Sequence, residues 1–320
     1  MEPLLEYKRL ARLLAANGWA WLEEWVHDGR FRPVYVPGGV VTGRWASSGG
    51  GALQIPKLLR PAVLPDPGWV IVDADVAQLE PRVLAGMSRD LALAAAARGR
   101  DLYAGIVASG TVATRDESKY AMLGAMYGAT TGKGGRLVPR LRQTYPVAMA
   151  VVDDAAATGE GGGTVQTWLG RTAPAPDADW LLLASSAGAE GADPVVRDVA
   201  RRAAGDRGRF TRNFVVQGTA AEWALCWLAE IRSRLDTLGE TGVPRADRAG
   251  AVFAPRPHLV FFLHDEVMVH APAHIADAVA TVVTDAAAAA GRRMFGSFPI
   301  DFPLDVRVIG DERAGDQARG

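Results

Sequence analysis

Two apolar runs in this chain end in carboxylates. One is Val70-Ile71-Val72-Asp73-Ala74-Asp75-Val76; the other is Leu259-Val260-Phe261-Phe262-Leu263-His264-Asp265-Glu266-Val267. β-Branched and aromatic residues in runs of this length form buried strands. A buried strand ending in charge needs a cap, a turn or a cation at that end. The chain must therefore build a sheet that gathers acidic groups from segments far apart in sequence.

Periodicity places the remaining elements. Residues 3–27 read as helical, with Leu4, Leu5, Leu10, Leu13, Leu14 and Trp21 on an apolar face. Residues 31–57 are punctuated by Gly and Pro, the mark of short strands and loops. After the strand at 69–75, Leu79, Val83, Leu84 and Met87 fall at helical spacing, and residues 91–108 form an Ala-rich helix. Thr114 and Glu117 make a capping box that starts a helix at Arg115, and Gly132, Gly134 and Gly135 lie beyond its end. Tyr145-Pro146 opens a further helix, with a turn at Gly159 to Gly163. Residues 173–195 are rich in Pro, Ala, Asp, Gly and Ser, which predicts a poorly ordered surface insertion reaching towards residue 205. Residues 207–236 read as helical. Residues 258–270 read as a hairpin around His264-Asp265-Glu266, and 273–290 as a helix with Ile275, Val279, Val282 and Val283 inward. The tail after Gly310 is polar and predicted to fray. The class is α+β.

Asp73 and Asp75 are two apart on a strand and share a face. Asp75 can cap the helix that follows or bind a metal; both readings fit the motif. Asp265-Glu266 can be a turn, but His-Asp-Glu between bulky β residues is unlike the usual Asn-Gly or Asp-Gly hairpin. Two divalent ions about 3.5–4 Å apart assist in-line attack of a hydroxyl on a phosphate. Mg²⁺ suits such a site, because it takes a few carboxylate oxygens and keeps water and phosphate as its other ligands.

On the helix from Arg115, residues Arg115, Lys119, Leu123 and Tyr127 recur every four positions and line one stripe. Two cations near a helix N-terminus suit a polyphosphate; the apolar and aromatic positions beyond suit a sugar and base. The alternative is a solvated amphipathic helix in which Tyr127-Gly128 is packing and a C-cap. The formal net charge of −1 carries no basic surplus, so any anion site must come from local placement. The lysines are Lys8, Lys57, Lys119 and Lys133, which makes the one at 119 conspicuous. A single Cys, Cys226, allows no intrachain disulfide and suits a reducing compartment. The first residues lack a signal-peptide layout, and no uninterrupted apolar run is long enough for a bilayer, so no membrane partner is expected.

Taken in order, these segments resemble family A DNA polymerases of the DNA polymerase I type. Asp75-Val-Ala-Gln78-Leu-Glu80-Pro-Arg82 is similar to motif A, the stripe Arg115, Lys119, Leu123, Tyr127-Gly128 to motif B, and His264-Asp265-Glu266 to motif C. Thr42-Gly43-Arg44 with Leu53-Gln54-Ile55-Pro56 resembles the family's Thr-Gly-Arg segment. Thr164 to Arg171 resembles its Thr-x-x-Gly-Arg-Arg stretch, and Arg209, Asn213 and Gln217 its minor-groove helix.

The resemblance implies a right-hand palm, an antiparallel sheet with helices, over 1–100 and 208–320, and a mainly helical fingers subdomain over 101–207. It implies template-directed DNA synthesis from deoxynucleoside triphosphates on primer-template DNA, with two Mg²⁺ ions or Mn²⁺ as a substitute. Asp75 and Asp265 would ligate the metals, with the Val76 carbonyl assisting and Glu266 supporting. Arg115 and Lys119 would hold the triphosphate, Lys119 also protonating pyrophosphate. Leu123, Tyr127, Gln78 and Tyr103 would border the nucleotide, and Glu80 would exclude a ribose 2′-OH. Arg44, Gln54, Arg209, Asn213, Gln217 and His264 would hold the primer-template junction. Asp73 is given no catalytic role. A cytoplasmic, nucleoid-associated location follows.

The chain departs from the family pattern in places. Leu123 stands where the family carries Phe or Tyr, Tyr103 where it carries His, Val76-Ala77 where it carries Tyr-Ser, and Pro81 follows Glu80. Leu5 to Leu10 resembles the helix that follows the thumb, and neither thumb nor exonuclease is expected before it. Either an upstream region belongs to a longer protein or a separate partner supplies it. Two rival readings are a non-catalytic or weakly active DNA-binding module and a single-subunit RNA polymerase; Glu80 argues against the latter.

Overall fold

The computed structural model describes residues 2–49, 59, 62–99, 101–129 and 131–310. The chain begins with α1 (Glu2–Asn17) and α2 (Trp19–Trp25). Two short antiparallel pairs follow, β1 (Val26–His27) with β2 (Arg30–Phe31), and β3 (Tyr35–Val36) with β4 (Ala46–Ser47). The apolar run at residue 70 becomes β5 (Trp69–Val76). Six helices come next: α3 (Leu79–Ser88), α4 (Leu91–Ala96), α5 (Leu102–Ala108), α6 (Arg115–Tyr127), α7 (Gly132–Thr144) and α8 (Pro146–Glu160). Then come α9 (Ala178–Gly188) and the 45-residue α10 (Pro194–Leu238), about 67 Å long at 1.5 Å per residue. The chain closes with β6 (His258–Leu263), β7 (Glu266–Pro272), α11 (Ala276–Phe295) and β8 (Leu304–Ile309).

The main sheet has the order β6-β7-β5-β8 and is antiparallel throughout. One core joins this sheet to α11 and the C-terminal half of α10, through Val72, Val267, Val269, Trp223, Trp227 and Val283. A second core joins helices α3 to α8 through Leu84, Leu102, Ile106, Met122, Tyr145 and Val152. Each fully buried aliphatic side chain contributes about 1.5–3 kcal/mol. α3 serves both cores, with Val83 in the first and Leu84 in the second.

The buried Arg82 of α3 donates to the carbonyls of Ala77, Ala97, Gly99 and Asp301. One guanidinium thus ties the end of β5, the α4–α5 connection and the approach to β8. Burial lowers its pKa to about 10, which leaves it charged at neutral pH.

Several elements differ from the sequence reading. The helix expected over 91–108 is two helices, because Asp90 caps α4 at Leu93 N–H and Asp101 caps α5 at Tyr103 and Ala104 N–H. Gly132, Gly134 and Gly135 lie beyond the α6 end, as expected, and open α7. Gly134 packs on Gly124, where a Cβ on Gly124 would sit 3.1 Å from the Gly134 backbone. Within 173–195, where poor order was expected, Asp177 caps α9 at Trp180 N–H. α9 buries no residue, so the segment is on the surface as expected. Asp193 caps α10 at Val195 N–H, so that helix starts thirteen residues before 207. The leucines of α1 are exposed, Leu4 at 56% and Leu5 at 62%. Residues Ala273–Phe295 are long and apolar enough by average composition to cross a bilayer, although Asp277 and Asp285 interrupt the apolar run. Val279, Val283, Ala286 and Ala290 instead bury against the sheet, as in the core helix of a globular domain.

Candidate functional site

Sheet register brings the acidic ends together. Asp75 stands opposite Glu266 on β7 and Asp305 on β8. Asp265 occupies the β6–β7 turn, and its carbonyl accepts the Val76 N–H at 2.9 Å. The turn is tight: His264 has φ 55° and the Asp265 N–H reaches the Leu263 carbonyl at 2.6 Å. Burial first, and the charge of Asp75 second, raise the Asp265 carboxyl to about 6. Glu266 is buried. Among the described residues no three His, Cys, Asp or Glu side chains converge as a ready-made metal cage. A pair of mutually repelling carboxylates, one raised by the other, is nonetheless the setting a divalent cation relieves, so the donors fit Mg²⁺. Asp73 stands opposite Arg307 across the β5–β8 register, on the same face of β5 as Asp75.

A cleft of about 160 Å³ opens beside Asp265. It is lined by Arg44, Gln78, Leu79, Glu80, Pro81, Tyr103, Leu123, Met126, Ala220, Ala221 and His264 as well. Residues from the loop after β3, the start of α3, α5, α6, α10 and the hairpin turn therefore share one cavity. Glu80 is its hub: Arg44 pairs with one carboxylate oxygen, and the Tyr127 hydroxyl donates to the other at 2.8 Å. Burial and then the Glu80 charge push the Tyr127 phenol up to about 12. The same two causes push Tyr103 up to about 12. Gln78 adopts φ 50° and its Oε1 accepts the Leu102 N–H at 3.1 Å, so it orients α5 from the cleft wall.

The capping box at Thr114 forms in modified shape. Thr114 Oγ1 accepts the Glu117 N–H, while the Glu117 carboxylate reaches the Ala113 N–H. α6 thus starts where expected and presents Arg115, Lys119, Leu123 and Tyr127 on its open side. Arg115 is bonded to Asp101 at 2.6 Å and lies over the Tyr103 ring at 5.5 Å. The stripe residues therefore differ: Lys119 is exposed, with no ion pair among the described residues, while Arg115 is held at the α5 end.

Arg209, Asn213 and Gln217 share a face of α10. The Arg209 stem lies where a Cβ on Gly128 would meet it at 2.9 Å, and Gln217 accepts from Thr42 at 3.1 Å. His264 sits in the cleft, and burial lowers its pKa, with Arg44 adding to the effect. Gln54 lies outside the described residues. Two arginines hold the arrangement, Arg212, which sequence reasoning passed over, and Arg171, which it placed only at the end of the stretch from Thr164. Arg212 donates to the Ala125 carbonyl of α6 at 2.7 Å and pairs with Asp153 of α8. Arg171 lies against Gly43, where an added Cβ would come within 2.7 Å of its Nε. Arg212 had no local signal beyond being an arginine.

Comparison with known proteins gives a consistent result. The sequence model of DNA polymerase family A matches residues 1–312. DNA polymerase I, thermostable, from Thermus filiformis is 26% identical over 96% of this chain and 35% of its own length. DNA polymerase I from Chloroflexus aurantiacus is 29% identical over 89% of this chain and 29% of its own. The chain thus spans about a third of the curated relatives it matches. Among solved structures, the POL domain of Pol1 from M. smegmatis, in complex with DNA primer-template and dNTP, superposes with a TM-score of 0.70. The identity is 18%, and the match covers 94% of this chain and 51% of that one. At that identity the likeness is one of fold.

Proposed function

The chain belongs to DNA polymerase family A, and from that membership we propose that it extends a DNA primer along a template. The observation that carries the proposal is one cleft lined by Asp265, which the charge of Asp75 reaches, by Leu123 of the α6 stripe, and by Glu80, to which Tyr127 of that stripe is bonded. The sheet with α10 and α11 serves as palm (1–100 and 208–320), and the helices within 101–207 as fingers.

Asp75 and Asp265 would hold two Mg²⁺ ions, or Mn²⁺ in their place, with the Val76 carbonyl assisting and Glu266 supporting from beneath. Ions bound there supply neutralisation of the phosphates and acidification of the attacking hydroxyl. The primer 3′ oxygen bonds to the α-phosphorus as the bond to the β-phosphate oxygen breaks. Arg115 and Lys119 bind the triphosphate, and Lys119 gives the departing pyrophosphate a proton. Leu123 and Tyr103 border the sugar, Tyr127 stacks by the templating position, and Glu80 fills the space a ribose 2′-OH would need. Arg44, Arg209, Asn213, Gln217 and His264 contact primer and template. Such a protein acts in the cytoplasm on the nucleoid.

Primer extension with Mg²⁺ at low salt tests this. Wild type extends; Asp75→Ala and Asp265→Ala lose at least 10³-fold in rate, on the order of one electrostatic catalytic group. A wild type that binds primer-template without extending it would favour a non-catalytic DNA-binding module. Leu123, in place of an aromatic beneath the sugar, is the residue that reading would rest on.

A further inference from the structure

We propose, on the basis of the polymerase reading above, that Asp101 is a positioning residue for the nucleotide: it anchors the Arg115 guanidinium by its Nε, so that the two Nη groups meet the triphosphate as a preset fork. Asp101 divides its carboxylate oxygens between two tasks. Oδ1 accepts the Tyr103 N–H at 3.0 Å and the Ala104 N–H at 3.3 Å, which caps α5. Oδ2 accepts the Arg115 Nε–H at 2.6 Å, from a helix fourteen residues further on. The anchor is thus fixed by backbone before it meets the arginine. Tyr103 adds a second constraint, with its ring centroid 5.5 Å from the Arg115 Cζ. Tyr103 is buried and lines the cleft with Glu80 and Leu123, so the guanidinium is held at the cleft wall.

The choice of Nε carries the argument. Arginine binds phosphate best through two parallel N–H donors. Arg142 and Arg9 spend such a pair on their own carboxylates, each using Nε and Nη2 together. Arg115 uses Nε alone, and its Nη groups have no hydrogen-bond partner among the described residues. The side chains are 52% exposed for Arg115 and 35% for Asp101, so the pair adds little to stability; what it sets is direction. Lys119, one turn along α6, is exposed and without an ion pair among the described residues. A triphosphate therefore meets one oriented fork and one unanchored ammonium. Presetting the fork lowers the ordering cost of binding, so the benefit falls on nucleotide affinity and not on the chemical step.

Two substitutions separate the cap from the anchor. Asp101→Ser still caps α5 but is too short to reach Arg115 as well; Asp101→Asn keeps both acceptors. Single-nucleotide incorporation gives KM and kcat, and dNTP titration of the enzyme on a dideoxy-terminated primer-template gives Kd without chemistry. Asp101→Ser raises both KM and Kd about 10-fold and leaves kcat within about threefold, and Asp101→Asn restores Kd to within about threefold of wild type. In an Arg115→Ala background Asp101→Ser changes Kd no further, a coupling that a weakened α5 alone would not produce. An unchanged Kd in Asp101→Ser overturns the proposal, as does an equal added loss in the Arg115→Ala background. A lower Kd also overturns it, since Asp101 would then compete with the triphosphate for Arg115. A wild type that shows this dependence of Kd but never extends a primer sinks the polymerase reading alone; one that binds no dNTP sinks both.

Discussion

The Tyr127 hydroxyl and the Arg44 guanidinium each hold one carboxylate oxygen of Glu80, so a residue at the start of α3 is pinned from both α6 and the β3–β4 loop. With both oxygens engaged, Glu80 presents a fixed volume to the cleft. If exclusion of a ribose 2′-OH is steric, size matters more than charge. Glu80→Ala then raises the ribonucleotide-to-deoxynucleotide ratio of kcat/KM by about 10-fold or more, and Glu80→Gln leaves it within a few-fold of wild type. The ratio is measured by single-nucleotide incorporation. Equal sugar selectivity in wild type and Glu80→Ala removes Glu80 from this role.

Arg82 supports the site without facing it. Its four carbonyl partners lie in the connections after β5, between α4 and α5, and before β8. Arg82→Met keeps much of the volume but strands those acceptors. The expected loss is about 3–5 kcal/mol, the usual result of breaking a buried charged network. Arg82→Lys recovers only part, because an ammonium cannot span the fork. Urea midpoints check both; a loss under 1 kcal/mol for Met would mean that water replaces the guanidinium.

What could be read from sequence was local. The strand before Asp75, the hairpin at Asp265 and the start of α6 each rest on short-range patterns, and each stands where the pattern put it. Illegible features were decided by distant partners. Gly132, Gly134 and Gly135 give no sign in sequence of opening a helix, and the reason for Gly134 is its approach to Gly124, a crossing too close for a side chain. The ion pair of Arg115 with Asp101 is invisible because the two are fourteen residues apart on different helices. Pro, Gly and Ser around α9 suggested disorder, but Asp177 and Asp193 each supply a cap that composition does not count.

That close crossing makes its own prediction. Gly134→Ala gains about 1 kcal/mol of helix propensity in α7. Against this, its Cβ meets the Tyr120 carbonyl oxygen at 2.9 Å, a backbone atom that cannot rotate away. Overpacking of this kind costs about 1–3 kcal/mol, so the variant is net destabilised and α7 shifts from α6. Thermal melting decides: a higher midpoint than wild type would show that the helices separate freely.

His270 sits behind the sheet, in a pocket with Trp69, His258, Asp66 and Arg30. Its Nε2 accepts the Asp66 N–H at 3.2 Å, and the Asp66 carboxylate is tied to Arg30 at 2.5 Å. Burial first, and the neighbouring His258 second, depress His270 to about 4, while Asp66 opposes them. The folded ring therefore stays neutral at a pH where the unfolded one, near 6.5, takes a proton. Unfolded chains then bind more protons than folded ones, so this contribution is intact above pH 6.5 and is lost as pH falls towards 4. Between pH 7 and 5 the loss is on the order of 1–2 kcal/mol, allowing for residual solvent contact. Asp265, raised to about 6, titrates in the opposite sense over the same interval, so the wild-type slope alone is a sum. The difference between wild type and His270→Phe isolates the ring: the variant loses less stability in urea on going from pH 7 to pH 5. Parallel losses in the two proteins would place the His270 proton on the folded state already.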